Sequence, residues 1–584
     1  MSVAGGSSEP TEVEWQFDAP DLGAVERWLA ELASRSHAEG SLALTVLAKP
    51  ARRLVDRYLD TEDWRFARAG FVLRTRQRGR GVELTMKDTK PADADGLRQR
   101  LELTEPVPEG MSVLDADGAV GRRVHALAGR HPLVQVLQVR TRRRPYSLRA
   151  AGAEIAEVAL DETAIVAGTD RPVARLSRVE VEVVPEWSDA LAKTVSDLRE
   201  ATGLRPATTS KYEAGLQAAG VAVPSAPEIG SAAIPADPTL GELALAVVRA
   251  QVRELIAHEP GTRIGDDPEE LHDMRVATRR LRAALGVFSD VLAERASKLE
   301  DDLRWAAREL GAVRDLDVQL ERARVAAKWA APRLGSQHSA ALGQLFPLLE
   351  EERAAARQRL VDTLDSDRFE RLVKELVALA REDPGRLSTK AGVPAAVALA
   401  PVVEARQRHA VAAARRAKRS GAPHDFHRVR IRGKRLRYAV EFTTALYGKP
   451  AGRFAKKLAG LQDSLGQIQD AEVGAARLLE LAGGNDPGRR PLGADAVFAM
   501  GGVAEHYRSE SEERRRAVRS TLGLLHGKAW KRFRTAMHKT AAHAKASVFS
   551  QEVPSDAAVD GPALRRGEGP GTSPGVAAAL PNAG

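Results

Sequence analysis

Two stretches of this chain, residues 272–282 and 427–437, carry one pattern twice, and any fold the chain adopts must accommodate that duplication. His272-Asp-Met-Arg275-Val-Ala-Thr-Arg279-Arg280-Leu281-Arg282 aligns with His427-Arg-Val-Arg430-Ile-Arg-Gly-Lys434-Arg435-Leu436-Arg437 at an offset of 155 residues. Further on, Leu310-Gly311-Ala-Val-Arg314-Asp315-Leu-Asp-Val318 aligns with Leu465-Gly466-Gln-Ile-Gln469-Asp470-Ala-Glu-Val473 at the same offset. Two separate matches at one offset mark a repeat. The surrounding sequence has helical periodicity rich in Ala, Leu, Arg and Glu. The expected product is two helical bundles related by a pseudo-twofold axis.

On a helix, His272, Arg275, Arg279 and Arg282 fall in one stripe, and so do His427, Arg430, Lys434 and Arg437. Leu271, Met274 and Leu281 form the apolar stripe beside the first of these. A basic run is ordinarily a solvated face. Here the duplication keeps the His and the basic stripe, and residues 406–437 hold twelve Lys and Arg against Asp425 alone. Residues 241–550 have a net charge of +15, whereas the rest of the chain sums to −6. So local a surplus repels itself until an anion neutralises it, which points to a polyanion ligand. Single-strand nucleic-acid binders interleave aromatics for stacking, but aromatics are 4% of this chain and only Tyr438 directly follows a basic stripe. Arginine forks grip phosphate oxygens whether or not a base is attached. Polyphosphate therefore fits better than RNA or DNA. His272 and His427 lack a partner ligand at helical spacing, which disfavours metal, though either gains charge as pH falls.

These paired H-x-x-R-x-x-x-[RK]-R-x-R helices, each followed by a G-x-x-[RQ]-D segment, resemble the CHAD domain, a conserved-histidine α-helical domain, over roughly residues 238–546. The resemblance implies binding of inorganic polyphosphate through the basic helices and association with polyphosphate granules. The expected contacts are His272, Arg275, Arg279, Arg280 and Arg282 in one repeat and His427, Arg430, Lys434, Arg435 and Arg437 in the other. In the second loop Gln469 replaces the arginine seen at Arg314.

An Ala/Pro/Ser-rich stretch at residues 218–237 reads as a linker. Before it, short runs alternate with period two: from Thr11, Phe71, Val82, Leu97, Val134, Glu154 and Leu176. They predict seven strands, with an eighth around Tyr146 or Ile165. Alternation gives nearly every strand a charged face: Glu12, Glu14 and Gln16; Arg74 and Arg76; Glu83, Thr85 and Lys87; Arg98, Arg100 and Glu102; Glu180 and Glu182. An outward charged face is ordinary for a half-buried sheet. Acids concentrated on the first and last strands, with bases between, suit a closed barrel with an internal site. Such acids can hold Mg²⁺ or Mn²⁺ while Arg and Lys opposite grip phosphate, the equipment of metal-assisted phosphoryl transfer.

The segments Glu12-Val-Glu14, Tyr58-Leu-Asp60-Thr61, Arg74-Thr-Arg76, Thr85-Met-Lys87, Val179-Glu180-Val-Glu182 and Ser210-Lys211-Tyr212, in that order, resemble the CYTH domain of the triphosphate tunnel metalloenzymes over about residues 11–217. The resemblance implies an eight-stranded antiparallel tunnel, a divalent metal and hydrolysis of inorganic tripolyphosphate or a related triphosphate, some members being adenylate cyclases. Carried over by position, Glu12, Glu14, Glu180 and Glu182, with Asp161 as an addition, would bind metal. Arg74, Arg76, Lys87, Arg100, Lys211 and one of Arg143 or Arg144 would bind phosphate. The family's E-x-E-x-K ends here in Gln16, an amide that carries no charge and cannot act as a base. That substitution opens a second reading, a non-catalytic polyphosphate-binding protein.

The expected organisation is α+β: a flexible tail at 1–10, the β tunnel with flanking helices at 11–217, the linker, an all-α duplicated bundle at 238–546, and a disordered tail at 547–584. No cysteine, no apolar leader and no long uncharged apolar run fit a soluble, cytoplasmic protein with no membrane partner. The sequence is silent on oligomeric state. Phosphate-loop, dinucleotide, zincin and hydrolase-elbow motifs are all missing from it.

Overall fold

Strands that alternate apolar and charged side chains can bury both faces only if the sheet closes on itself, apolar outward under helices and charged inward. The computed structural model describes residues 11–34, 43–168, 171–224, 227–483 and 492–552. Its strands are β1 (Thr11–Asp18), β2 (Leu44–Ala48), β3 (Arg52–Thr61), β4 (Phe71–Arg78), β5 (Gly81–Asp88), β6 (Leu97–Val107), β7 (Leu133–Ala150), β8 (Ala153–Val166), β9 (Pro172–Val183) and β10 (Arg205–Pro206). Hydrogen bonding runs β1-β6-β5-β4-β3-β7-β8-β9 and returns from β9 to β1, so eight antiparallel strands close a barrel. The short β2 and β10 attach outside the ring, to β7 and β1.

The eighth strand of the ring is β3. Tyr146 and Ile165 instead lie inside the long β7 and β8. β3 hides in the sequence because Arg and Asp interrupt its apolar residues, and those Asp side chains are buried for a purpose. Asp60 accepts hydrogen bonds from the backbone N–H of Thr61 (2.7 Å), Phe66 (3.0 Å) and Ala67 (3.0 Å), anchoring α2 (Arg65–Arg68).

Helices α1 (Leu22–Ser34) and α4 (Ser188–Thr202) cover Trp15, Phe17, Val158 and Val181 on one outer flank, and α3 (Ala119–Ala128) covers Leu73, Leu84, Met86 and Leu103 on another. α5 (Lys211–Ala218) starts from a capping box of Ser210 and Glu213 and closes one end of the barrel. There Tyr212 and Leu216 pack on Tyr58, Leu137, Val139 and Ile165. The fit is close enough that a Cβ on Gly215 would stand 2.7 Å from Leu137 Cδ1.

The helical half comprises α6 (Leu240–Ile264), α7 (Pro268–Val287), α8 (Ser289–Leu334), α9 (Ser336–Ala341), α10 (Leu345–Leu364), α11 (Asp367–Arg381), α12 (Ala395–Ser420), α13 (Pro423–Phe442), α14 (Thr444–Ala482), α15 (Ala494–Thr521) and α16 (Lys528–Glu552). The starts of α6, α7 and α8 recur in α12, α13 and α14 at the 155-residue offset. The two halves also meet symmetrically. Leu240 N–H donates to Val393 C=O (2.8 Å) and Ala395 N–H to Pro238 C=O (2.9 Å), equivalent bonds across the pseudo-twofold axis.

The barrel docks on the first repeat. Ile264 joins the apolar cluster under α3, Arg123 pairs with Asp266 (2.5 Å), and Arg65, Arg130 and His131 meet Glu370 at 3.5, 3.5 and 3.2 Å. Among the described residues no helix is long and apolar enough to cross a membrane. The tail expected at 1–10 lies outside the described residues, as does the one expected from 547, except that residues 547–552 continue α16.

Asp60→Ala removes one acceptor and strands three buried N–H donors, at a cost of about 3 kcal/mol. The barrel's denaturation midpoint, read from near-ultraviolet circular dichroism, is expected to fall; an unchanged midpoint would show that Asp60 does not anchor α2.

Candidate functional site

The barrel interior holds a cavity of about 380 Å³ lined mostly by charged residues. Glu12, Glu14 and Gln16 reach it from β1, Asp56 and Tyr58 from β3, Arg74 and Arg76 from β4, Lys87 from β5, Arg98, Arg100 and Glu102 from β6, Arg143 from β7, Glu180 and Glu182 from β9, and Lys211 from the start of α5. Because β9 closes on β1, Glu14 faces Glu182 and Gln16 faces Glu180. One wall is therefore acidic.

Most of these acids and bases pair across the cavity, which offsets the cost of burying their charge. Lys87 binds Glu12 (2.8 Å) and Glu102 (2.9 Å), and Arg100 bridges Glu12 (3.0 Å) and Glu14. Arg76 grips Asp56 with both Nε (2.6 Å) and Nη2 (2.8 Å). At the plugged end Arg143 forks onto Asp161 and also reaches Glu180, while Lys211 bonds Glu180 at 2.8 Å. Burial opposes ionisation of Glu12, yet Lys87 and Arg100 outweigh it and hold the carboxyl down at about 2. Glu14 goes the other way, pushed up to about 7 by burial and by the charge of Glu12. Burial and Glu12 also raise Glu182.

Of the residues expected here, Arg144 is turned out of the tunnel. Neighbours on a strand point to opposite faces, and its guanidinium pairs with Glu26 of α1 while Arg143 faces inward. Asp161 is fully buried and committed to Arg143 and Lys211, which makes it a positioning group for two bases rather than a free metal ligand. Gln16 is 4% exposed; its amide donates to Glu14 (2.8 Å), and its Oε1 is buried with no donor. Asp56 was not anticipated as a cavity group, and Arg98 was expected on the charged face of its strand without a role at the site. The signal for Asp56 was the alternation of Leu54, Asp56, Tyr58 and Asp60 once β3 is read as a strand.

Among the described residues no three carboxylate or imidazole groups already gather as a metal cluster. The donor chemistry nevertheless suits a hard divalent cation: Glu14 and Glu182 oppose each other at raised pKa, and Gln16 adds an orphaned carbonyl oxygen beside them.

The helical half has the opposite electrostatics. α7 packs against α13, bringing Arg275 and Arg279 together with Arg430, Lys434 and Arg437. Position 433 of α13 is glycine and leaves room for the side chain of Gln462 on α14; a Cβ there would meet its Nε2 at 2.2 Å. Burial and the surrounding Arg430, Arg279, Arg275 and Arg437 drag the Lys434 ammonium down to about 7. Asp315 sits 3.5 Å from Arg275, and burial raises its pKa. His427 bonds Gln469, while the buried Nδ1 of His272 has no partner. Not every expected base is free for a ligand. Arg280 bonds Glu441 (2.8 Å) over the Phe442 ring and Arg437 also pairs with Glu441 (2.9 Å), whereas Arg282 and Arg435 neighbour each other farther along.

Residues 32–216 match the model of the CYTH domain, and residues 246–479 that of the CHAD domain. The chain is similar to a CHAD domain from the plant Ricinus communis: 30% identity, 51% of this chain and 96% of that one, TM-score 0.42. PptA from Streptomyces chartreusis is 20% identical over 50% of this chain and 99% of its own, with a TM-score of 0.39. HpAC1 from Hippeastrum, described as having a dominant triphosphatase activity, is 18% identical over 36% of this chain and 98% of its own, with a TM-score of 0.27. No curated protein matches the chain.

A lysine with a pKa near 7 is largely neutral, and so nucleophilic, at pH 8. Lys434 is expected to acylate before the exposed lysines at that pH, and Arg430→Ala to slow it by raising its pKa. Equal labelling in both proteins would refute the crowding of charge.

Proposed function

Because this chain carries a CYTH domain joined to a CHAD domain, we propose that it is a polyphosphate-handling protein whose tunnel hydrolyses inorganic tripolyphosphate and whose basic cleft holds longer chains. The observation that carries the tunnel reading is the set of ion pairs lining its interior. A triphosphate entering with a divalent cation would exchange partners with these ion pairs. Arg74, Arg76, Lys87, Arg100, Arg143 and Lys211 would hold the phosphate oxygens, and Glu12, Glu14, Glu180 and Glu182 would hold Mg²⁺ or Mn²⁺. The bound cation would neutralise phosphate charge and acidify a water. Asp161 holds Arg143 and Lys211 in place at the plugged end. Burial of these groups excludes bulk water and strengthens every contact.

An inorganic substrate is favoured over ATP. Tyr58 and Tyr212 are the aromatic residues lining the cavity, and they pack on each other at 5.3 Å rather than presenting a free face to adenine. A binding-only reading rests on Gln16, which supplies an amide where the family has a cation. In the cleft, clustered bases with few carboxylates gain most from a ligand that is all charge.

Phosphate release from tripolyphosphate with Mg²⁺ or Mn²⁺ tests the tunnel. Turnover is expected, falling about a hundredfold in Arg143→Ala. No release from the natural chain, with release appearing in Gln16→Lys, would establish the binding-only reading.

Polyphosphate binding by the cleft should depend on pH through Lys434. Its depressed pKa means that binding above about pH 7 must draw in a proton, so affinity is expected to fall from pH 7 to 9. Lys434→Met should flatten that dependence; an identical slope would remove Lys434 from the site.

A further inference from the structure

The duplication gives the helical half two equivalent outer grooves, and only one is covered by the barrel. In the first repeat α11 packs on α6 and α8, and the barrel sits over the α6–α11 groove, bringing Arg65, Leu127 and His131 to Phe369 and Glu370. In the second repeat α16 packs on α12 and α14 in the same way, forming a groove of about 550 Å³. No part of the barrel lines it among the described residues.

The first groove mixes acids with bases such as Arg253 and Lys374, whereas bases alone charge the second. Asp365, Asp367 and Glu370 receive arginines of the barrel at the first. At the second, Arg408 and Arg415 project from α12, and Lys531 and Arg534 from α16. Arg415, Lys531 and Arg534 are exposed and have no carboxylate within ion-pair distance among the described residues. Arg408 has only Glu404, at 4.0 Å, which it shares with His538. No acid occurs in α16 before Glu552.

We infer that the α12–α16 groove is a second polyphosphate-binding site, outside the cleft between α7 and α13. Two cationic rails flank a floor of Val411 and the buried Trp530, a form suited to an extended phosphate chain. Trp530 offers no exposed face for stacking a base, which disfavours nucleic acid. α12 separates the two sites: its Arg406 points the other way, bonding Arg435 C=O (3.0 Å) and Gly286 C=O (2.6 Å) on the cleft helices. One long chain held in the cleft therefore reaches the groove across a single helix, and the second contact is intramolecular. The inference rests on the cleft reading for its ligand and goes beyond it in place.

The test uses the full chain with long-chain polyphosphate, comparing a groove variant (Arg415→Glu, Lys531→Glu, Arg534→Glu) with a cleft variant (Arg275→Ala, Arg430→Ala). The groove variant should bind long chains about tenfold more weakly, with a shallower salt dependence. Wild-type affinity and salt slope in it would overturn the second site while leaving the cleft intact; wild-type binding in the cleft variant would instead overturn the cleft reading. In the unsubstituted chain, long polyphosphate should protect Lys531 from acylation, and unprotected Lys531 would count against the site even if the variant misfolds. Competition by single-stranded DNA of equal charge, as effective as polyphosphate itself, would also overturn it.

Discussion

A carboxylate sealed inside a protein must find a cation or hydrogen-bond donors, and a sealed guanidinium an anion or acceptors, because desolvation otherwise costs several kcal/mol for each. That requirement organises the tunnel. Closing β9 onto β1 places Glu12, Glu14, Glu180 and Glu182 on one wall, and the ring brings Lys87, Arg100 and Arg143 to face them. The same closure turns Trp15, Phe17, Leu73 and Met86 outward, which is why helices must cover the barrel. α5 then supplies both the plug at one end and Lys211 inside it. The interior is a set of ion pairs that a metal and a polyanion, arriving together, can exchange.

The helical half handles the same kind of ligand by the opposite electrostatic arrangement. Its two basic helices meet with too few acids between them, and Lys434 yields much of its charge at neutral pH as a result. Such a cleft is stabilised by an anion rather than self-neutralised. Where the barrel docks on the first repeat, Asp365, Asp367 and Glu370 of the helical half receive Arg65 and Arg130. The duplicated frame thus serves the tunnel on one side and leaves bases exposed on the other.

Much of this was legible in residue order. The 155-residue offset gives the helix pairs and their axis, since α7 and α13 both begin at a proline in register, and alternation gives seven strands and the charged faces of five of them. What escaped depends on three-dimensional neighbours. β3 was missed because its inward Asp56 and Asp60, satisfied by Arg76 and by backbone N–H groups, look like loop residues in isolation. Whether Arg143 or Arg144 entered the tunnel turned on the register of β7. Glu441, distant from Arg280 in the chain, neutralises it across the cleft, and no helical spacing could have shown that.

Exchange of ion pairs requires the triphosphate and the cation to bind cooperatively, and that linkage is reciprocal. Calorimetric titration with a non-hydrolysable tripolyphosphate analogue, with and without Mn²⁺, measures it directly. Ion-pair exchange predicts tighter analogue binding in the presence of Mn²⁺ and loss of that gain when Glu12 and Glu182 are replaced by Gln. Equal affinity with Mn²⁺ and with chelator would contradict it.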